Sequence, residues 1–114
     1  MNRKRPPNRR DGELVTFDHD GVPYTAHFSR DEDGNVSELF LNGGKEGSTA
    51  NVVAKECAVI LSIAAQFGVP MTVLGKSLPR LRNGKPAGPV GVALALIAKK
   101  PKRTRGDEVC LNKD

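Results

Sequence analysis

The sequence predicts an α+β fold, in which a three-stranded antiparallel β-meander is followed by one long helix and two shorter helices, with disordered basic tails. Three segments with strand-like patterns come first and are separated by turn sequences rich in Asp and Gly. From residue 49 onward the apolar residues follow helical spacing, and Pro70 and Pro89 stand at predicted helix starts. Strands followed by helices, without alternation along the chain, are typical of an α+β domain.

The strands are predicted over residues 13–17, 22–29 and 36–41. In the second strand the period of two is clear, because Val22, Tyr24, Ala26 and Phe28 share one face while polar residues occupy the other. The intervening turns, residues 18–21 and 31–35, contain Asp-Gly pairs, which tolerate the positive φ angles of tight turns. We expect one face of the sheet to pack against the long helix and the other to need a cover, a partner or water.

The long helix is predicted over residues 49–67, a segment rich in Ala that contains neither Pro nor Gly. Ser48 or Thr49 suits its N-cap, and Gly68 stands where a helix-terminating glycine belongs. Apolar residues recur at intervals of three and four, and we expect this stripe to face the core. The stripe consists of Val53, Cys57, Ile60, Ala64 and Phe67, widened by Val52, Val59 and Ile63.

Two shorter helices are predicted over residues 70–78 and 89–99, joined by a basic loop. In the last helix we expect Val92 and Leu96, with Ala93 and Ala95, to face the core. The predicted organisation is a disordered tail at residues 1–11, a single domain at 12–99 and a second disordered tail at 100–114.

The net charge of +5 is concentrated in the tails. Residues 1–10 hold five Lys/Arg and no acid, residues 11–98 hold seven against ten acids, and residues 99–114 hold six against three. Flexible basic arms bind nucleic-acid backbone without reading its sequence, so the tails are a candidate nucleic-acid contact, with simple solubilisation as the alternative. The candidate residues are Arg3, Lys4, Arg5, Arg9, Arg10, Lys102, Arg103 and Arg105.

The glycine-rich segment LNGGKEGSTA at residues 41–50 is a candidate anion or nucleotide site, because free N–H groups at a helix N-terminus attract phosphate. Its lysine precedes the last glycine, so the spacing is not that of a P-loop. The alternative, favoured by the negative charge of Glu46, is a chain reversal capped by Ser48. The candidate residues are Gly43, Gly44, Lys45, Gly47, Ser48 and Thr49.

No catalytic or metal-binding residue is predicted. His19 lies in an acidic turn and His27 on the polar face of a strand, while Cys57 and Cys110 lack a metal-ligand companion. Two distant cysteines without a disulfide framework indicate a reduced, cytoplasmic setting. No apolar segment follows the basic N-terminus, and no apolar run is long enough to span a bilayer, so neither a secretory signal nor a membrane association is expected.

VSELFL at residues 36–41, GKEGS at 44–48, an alanine-rich helix and Gly68-Val69-Pro70 follow one another in an order that resembles the TSCPD domain family. The resemblance covers roughly residues 22–98. The domain occurs at the C-terminal end of adenosylcobalamin-dependent (class II) ribonucleotide reductases and as small stand-alone bacterial proteins. The chain departs from the name-giving Ser/Thr-Cys-Pro-Asp: residues 86–91 read PAGPVG, where only Pro89 fits and the cysteine is missing.

The resemblance implies a small non-catalytic module that is accessory or regulatory to ribonucleotide reduction, and hence to DNA synthesis, or that binds a nucleotide or phosphate at residues 43–49. In the whole reductases the radical chemistry and the cobalamin pocket belong to a large barrel, for which 114 residues are too few. Adenosylcobalamin is therefore tied to the family, and no cofactor site is expected in this chain. The alternatives are nucleic-acid binding through the tails and a protein-protein interaction module, self-association through the sheet included.

Overall fold

One antiparallel sheet, with strands in the order β1-β2-β3, precedes three helices. The strands are β1 (Gly12–His19), β2 (Val22–Arg30) and β3 (Val36–Gly43). The helices are α1 (Thr49–Gln66), α2 (Met71–Ser77) and α3 (Pro89–Lys99). This computed structural model describes residues 2–6 and 12–100. The α+β prediction is confirmed, and the strands extend slightly beyond their predicted bounds.

Both turns of the meander form as their sequences predict. Asp20 and Gly21 connect β1 to β2 with φ angles of 51° and 77°, the left-handed pair that matches the twist of a two-residue hairpin. In the second turn, the Asp31 carboxylate accepts hydrogen bonds from the backbone N–H groups of Asp33 and Asn35, at 2.9 and 3.0 Å. These local interactions fix the register that places Tyr24, Ala26 and Phe28 on one face.

The core lies between that face of the sheet and the helices. Tyr24, Ala26 and Phe28 are buried, as predicted, and β3 adds Leu39 and Leu41. The helices contribute the other buried apolar side chains, namely Ala54, Ala58, Leu61, Ala93, Leu94 and Ile97.

The rotation of α3 differs from the prediction. Leu94 and Ile97 are buried with Ala93, whereas Val92 and Leu96 are only half-buried. Gly91 explains the difference, because a Cβ built on it would lie 2.9 Å from the Cβ of Pro86. Because of this close approach, the side of α3 that contains Gly91 faces inward. Leu94 and Ile97, three and six residues later, therefore lie in the core.

Helix α1 covers the free edge of β3 with polar side chains. The Ser62 hydroxyl accepts a hydrogen bond from the backbone N–H of Leu39 at 2.8 Å and donates one to its carbonyl at 3.0 Å. The Gln66 amide donates to the Ser37 carbonyl at 3.0 Å, and the Asn51 amide donates to the Gly43 carbonyl at the same distance. A strand edge that would otherwise carry unpaired polar groups is thereby satisfied.

The expectation that the apolar stripe of α1 faces the core was wrong. Val53, Ile60 and Phe67 are 47%, 66% and 37% exposed. The side chains that α1 buries are instead small, polar or both, with one leucine. They are Asn51, Ala54, Ala58, Leu61, Ser62 and Gln66. The helix is rotated because the edge of β3 needs hydrogen-bonding groups and close approach, which the apolar stripe does not offer.

The ends of α1 are capped as predicted. Ser48 is the N-cap, and its hydroxyl accepts a hydrogen bond from the backbone N–H of Asn51 at 3.2 Å. At the other end Gly68 adopts a φ of 102°, and the N–H of Val69 returns to the carbonyl of Ala64. This is the Schellman arrangement, in which a left-handed glycine ends the helix.

Replacing Ser62 by Ala should destabilise the fold by about 1–3 kcal/mol, because it leaves a buried N–H and a buried carbonyl of β3 without partners. Urea denaturation followed by circular dichroism measures the effect. Ser77→Ala is the matched control: its hydroxyl bonds the Val73 carbonyl at an exposed site, so water can replace it. Equal effects of the two substitutions would contradict the role assigned to Ser62.

Candidate functional site

The six residues predicted to bind an anion lie together in the corner between β3 and α1. Gly44 and Gly47 have φ angles of 67° and 82°, which favour glycine, and the N–H of Ser48 closes the turn on the Lys45 carbonyl at 3.0 Å. Thr49 is the first residue of α1. The segment is therefore the strand-to-helix corner that the sequence allowed as its alternative role.

Gly43 and Asn51 tie this corner to the domain. A Cβ on Gly43 would overlap the ring of Tyr24, so the strand and the ring pack face to face only with glycine. Asn51, only 1% exposed, donates from its amide to the Gly43 carbonyl at 3.0 Å and to the Asn42 side chain at 2.6 Å. Gly43 and the Asn51 amide therefore hold the corner in place through packing and hydrogen bonds.

The charges of the corner are mixed. The Glu46 carboxylate lies 2.9 Å from the Lys55 ammonium in an exposed ion pair, and Lys45 is exposed. The Ser48 hydroxyl already accepts the capping hydrogen bond. Each glycine of the corner and Ser48 thus has a structural role, in packing, in the turn or in capping the helix. Anion binding at the corner stays a prediction.

The first basic residues contact the domain. The backbone N–H of Lys4 donates to the Gln66 carbonyl at 2.7 Å, and Arg3 Nε donates to the Gln66 side chain at 2.6 Å. The Lys4 ammonium lies 2.9 Å from Glu32, and this hydrogen bond, with the opposite charge, raises the pKa of Lys4 and lowers the pKa of Glu32. Because its pKa is lowered, Glu32 is charged at neutral pH, and the ion pair then stabilises the contact of residues 3 and 4 with the domain. This stabilisation is lost as the pH falls through the lowered pKa of Glu32.

The other tail residues predicted to contact nucleic acid lie outside the described residues. They are Arg9, Arg10, Lys102, Arg103 and Arg105. Arg5 is described and exposed. Nucleic-acid binding through the tails stays a prediction, as does the domain boundary at residue 12.

The histidines lie apart. His19 Nε2 is 3.5 Å from the carboxylate of Asp20, and His27 is exposed on the open face of the sheet. Within residues 2–6 and 12–100, no three His, Cys, Asp or Glu side chains are placed to share a metal ion. Cys57 is a free, half-buried thiol on α1.

A cavity of about 380 Å³ lies between the β2–β3 turn, the start of α2 and the end of α3. Its walls include Gly68, Val69 and Pro70, part of the motif order noted in the sequence, with Arg30 at one side. Arg30 is neutralised by Glu13, since Arg30 Nε lies 2.7 Å from a carboxylate oxygen and both side chains are largely buried. The volume suits a small molecule and is too small for the whole of adenosylcobalamin.

The start of α3 shows what replaces the family tetrapeptide. Pro89 occupies the first turn and Gly88 is the N-cap, without a side chain to cap the helix. A cysteine at such a position would have a lowered pKa, because the helix N-terminus favours a thiolate. Gly88 supplies no thiol at this position.

Among residues 2–6 and 12–100, most of the exposed large apolar side chains are grouped on two surfaces. The first is the outer face of α1, a name used here for the stripe that comprises Val52, Val53, Cys57, Val59, Ile60, Ile63, Ala64 and Phe67. The second is the open face of the sheet, where His27 lies between Leu14 of β1 and Phe40 of β3 in the strand register. The sequence contained the signal for the outer face in its three-and-four spacing, but the prediction assigned it to the core.

The fold and the outer face of α1 define a small α+β module. Its described residues contain no cluster of side chains that could hold a metal ion. The sequence model of the TSCPD domain family matches residues 2–100, and the chain therefore belongs to that family. Comparison with curated proteins gave no match, and comparison with solved structures gave none. Within the described residues, no helix has the length and apolar character needed to cross a membrane.

Gly43→Ala should destabilise the domain by roughly 1–3 kcal/mol, because the added methyl group displaces the ring of Tyr24 from the core. Thermal unfolding measures the loss. Gly12→Ala is the control, since it adds the same methyl group to a strand position with open space around it. If both variants unfold at the wild-type temperature, Gly43 is not required for packing, and the packing role assigned to it is wrong.

Proposed function

We propose that this chain is a non-catalytic protein-binding module of the TSCPD family that uses the outer face of α1 as its contact surface, in the setting of ribonucleotide reduction. The exposure of that face is the observation that supports the protein-binding role. The setting is supported by the family resemblance alone, since this domain is found in class II reductases.

The outer face has the composition of an interface. Its eight apolar residues run along the whole helix, and Glu56 is the charged side chain among them. A solvent-facing helix surface is ordinarily polar, and monomeric proteins rarely expose contiguous apolar patches larger than a few hundred Å². Several large side chains are about half exposed or more, Val59 and Ile60 at 57% and 66%.

The open face of the sheet is a weaker candidate. Leu14 and Phe40 are 49% and 55% exposed, but His27 separates them and the rows on either side contain Thr16, Thr25 and Asn42. Such a mixed face is normal for one side of an antiparallel sheet in water. The outer face of α1 has more exposed aliphatic side chains around its one charged residue, Glu56, so the proposal rests there.

The purified chain should show no ribonucleotide reduction when it is given adenosylcobalamin, a dithiol reductant and ribonucleotides. The chain has too few residues for a reductase barrel, and no side chain replaces the family's cysteine at Gly88. Deoxyribonucleotide formation by chromatography is the measurement, with a class II reductase as positive control. Turnover by the isolated chain would reject the non-catalytic role.

Val53→Ser/Ile60→Ser should weaken protein binding at least tenfold, because it makes the centre of the outer face polar while touching no core residue. Binding is measured by light scattering for self-association and by biolayer interferometry on a purified class II reductase of the same organism. Circular dichroism should show an unchanged fold.

Leu14→Ser/Phe40→Ser is the matched control, since it removes two exposed apolar side chains from the open face of the sheet. It should bind like the wild type. Loss of binding in this variant alone would move the contact surface to the sheet. A wild-type chain that neither self-associates nor binds the reductase would reject the module proposal.

A further inference from the structure

We infer that the segment between α2 and α3 is a docking site for duplex DNA, which it contacts through Arg80, Arg82 and Lys85. The segment comprises residues 79–87 and is called the basic hairpin here. It shares no residue with the outer face of α1, so the inference does not rest on the proposed function. It also differs from the predicted contact through the tails, because the hairpin lies within the described domain.

The charges of the domain are separated along the chain. Residues 12–56, which form the sheet, the glycine-rich corner and the first part of α1, contain nine Asp or Glu and three Lys or Arg. Residues 57–100, which form the rest of α1, α2, the basic hairpin and α3, contain six Lys or Arg and no acid. A surface that serves solubility alone intersperses both signs. A surface of one sign instead attracts and orients a partner of the opposite sign.

Backbone hydrogen bonds give the basic hairpin a defined shape. The Leu81 N–H donates to the Lys85 carbonyl at 2.8 Å, and Arg80 pairs with Pro86 in an antiparallel bridge. Gly84 allows the chain to reverse, with a φ of 85°. The basic side chains therefore project from a short two-stranded ribbon, and little conformational freedom is lost when the ribbon binds a partner.

The cationic groups of the hairpin are available. Residues 79–85 are exposed, and the side chains of Arg82 and Lys85 make no hydrogen bond or ion pair with the part of the chain that the structure describes. Arg80 donates from Nη1 to the Gly84 carbonyl at 2.9 Å, which leaves further donors of its guanidinium for a phosphate. The Asn83 side chain accepts from the Lys85 N–H at 2.9 Å and so supports the turn.

The shape and the charges fit duplex DNA. The major groove of B-DNA is about 12 Å wide and admits a two-stranded ribbon, and the duplex presents one negative charge per roughly 1.7 Å of its axis. The major groove of duplex RNA is too narrow for such a ribbon. Leu81 is 53% exposed between Arg80 and Arg82, where an apolar side chain can contact base edges in the groove.

The first measurement is the fluorescence anisotropy of a short labelled DNA duplex, titrated with the full chain at several salt concentrations. Arg82→Gln/Lys85→Gln should weaken binding about tenfold and lower the slope of log affinity against log salt by about two, because two phosphate contacts are lost. Both side chains are exposed and lack partners, so the variant should keep its fold. Circular dichroism checks this.

Lys45→Gln/Lys55→Gln is the matched control, since it removes the same charge from the glycine-rich corner and α1. It should keep the wild-type salt slope. An equal loss in both variants would show that net charge alone determines binding, and the assignment to the hairpin would be wrong. A hairpin variant that binds like the wild type, or a wild-type chain that does not bind the duplex, would also overturn the inference.

The second measurement identifies the contact residues and the class of partner. In two-dimensional amide NMR of the full chain, the duplex should shift the signals of residues 80–85. Polyglutamate and duplex RNA are the comparison ligands. Shifts confined to the tails, or tighter binding of either comparison ligand than of duplex DNA, overturn the inference.

The outer face of α1 gives an independent control. Val53→Ser/Ile60→Ser should bind the duplex like the wild type, because neither residue belongs to the basic hairpin. Loss of duplex binding in this folded variant would place the DNA contact on α1 and overturn the inference. Failure of DNA binding at the hairpin leaves the proposed protein contact standing, since that contact is measured on the reductase and by self-association.

Discussion

The pairing of the β3 edge by α1 is the interaction on which the rest of the structure depends. Three side chains, Asn51, Ser62 and Gln66, reach the backbone groups that the sheet leaves open. A buried polar backbone group without a partner costs about 1–3 kcal/mol, comparable with the 1.5–3 kcal/mol gained when one large apolar side chain is buried. Several such groups lie along the edge of β3, so the need to pair them determines which side of α1 faces the sheet.

The sequence predicted those features that local chemistry decides. The period of two in β2 identified Tyr24, Ala26 and Phe28 as core residues, and they are buried. Ser48 and Gly68 marked the ends of α1, because capping depends on a few neighbouring residues. The rotation of α1 and α3 was beyond such reasoning, since it depends on which surface each helix meets. For α1 that surface is a strand edge that needs polar partners, and for α3 it is the ring of Pro86 against Gly91.

The position of the glycine-rich corner was predicted, with anion binding and a chain reversal as its two alternative roles. The sequence gathered residues 43–49 into one corner, and they lie together. What it could not show is that Gly43 makes room for the ring of Tyr24, a residue nineteen positions earlier, or that Asn51 holds the Gly43 carbonyl. Long-range contacts of this kind leave no local pattern, so a glycine needed for packing and one needed for a phosphate look alike in the sequence.

The outward apolar face of α1 follows from the same constraint. A helix has one face toward the sheet, and here that face is filled by hydrogen-bonding and small residues, so the large aliphatic residues are left on the other side. Solubility alone would favour polar residues there, and packing against the sheet would favour aliphatic residues inside. The observed arrangement serves neither purpose in an isolated chain. It becomes reasonable if a protein partner covers the outer face, because the edge of β3 and the partner then contact the two opposite sides of α1.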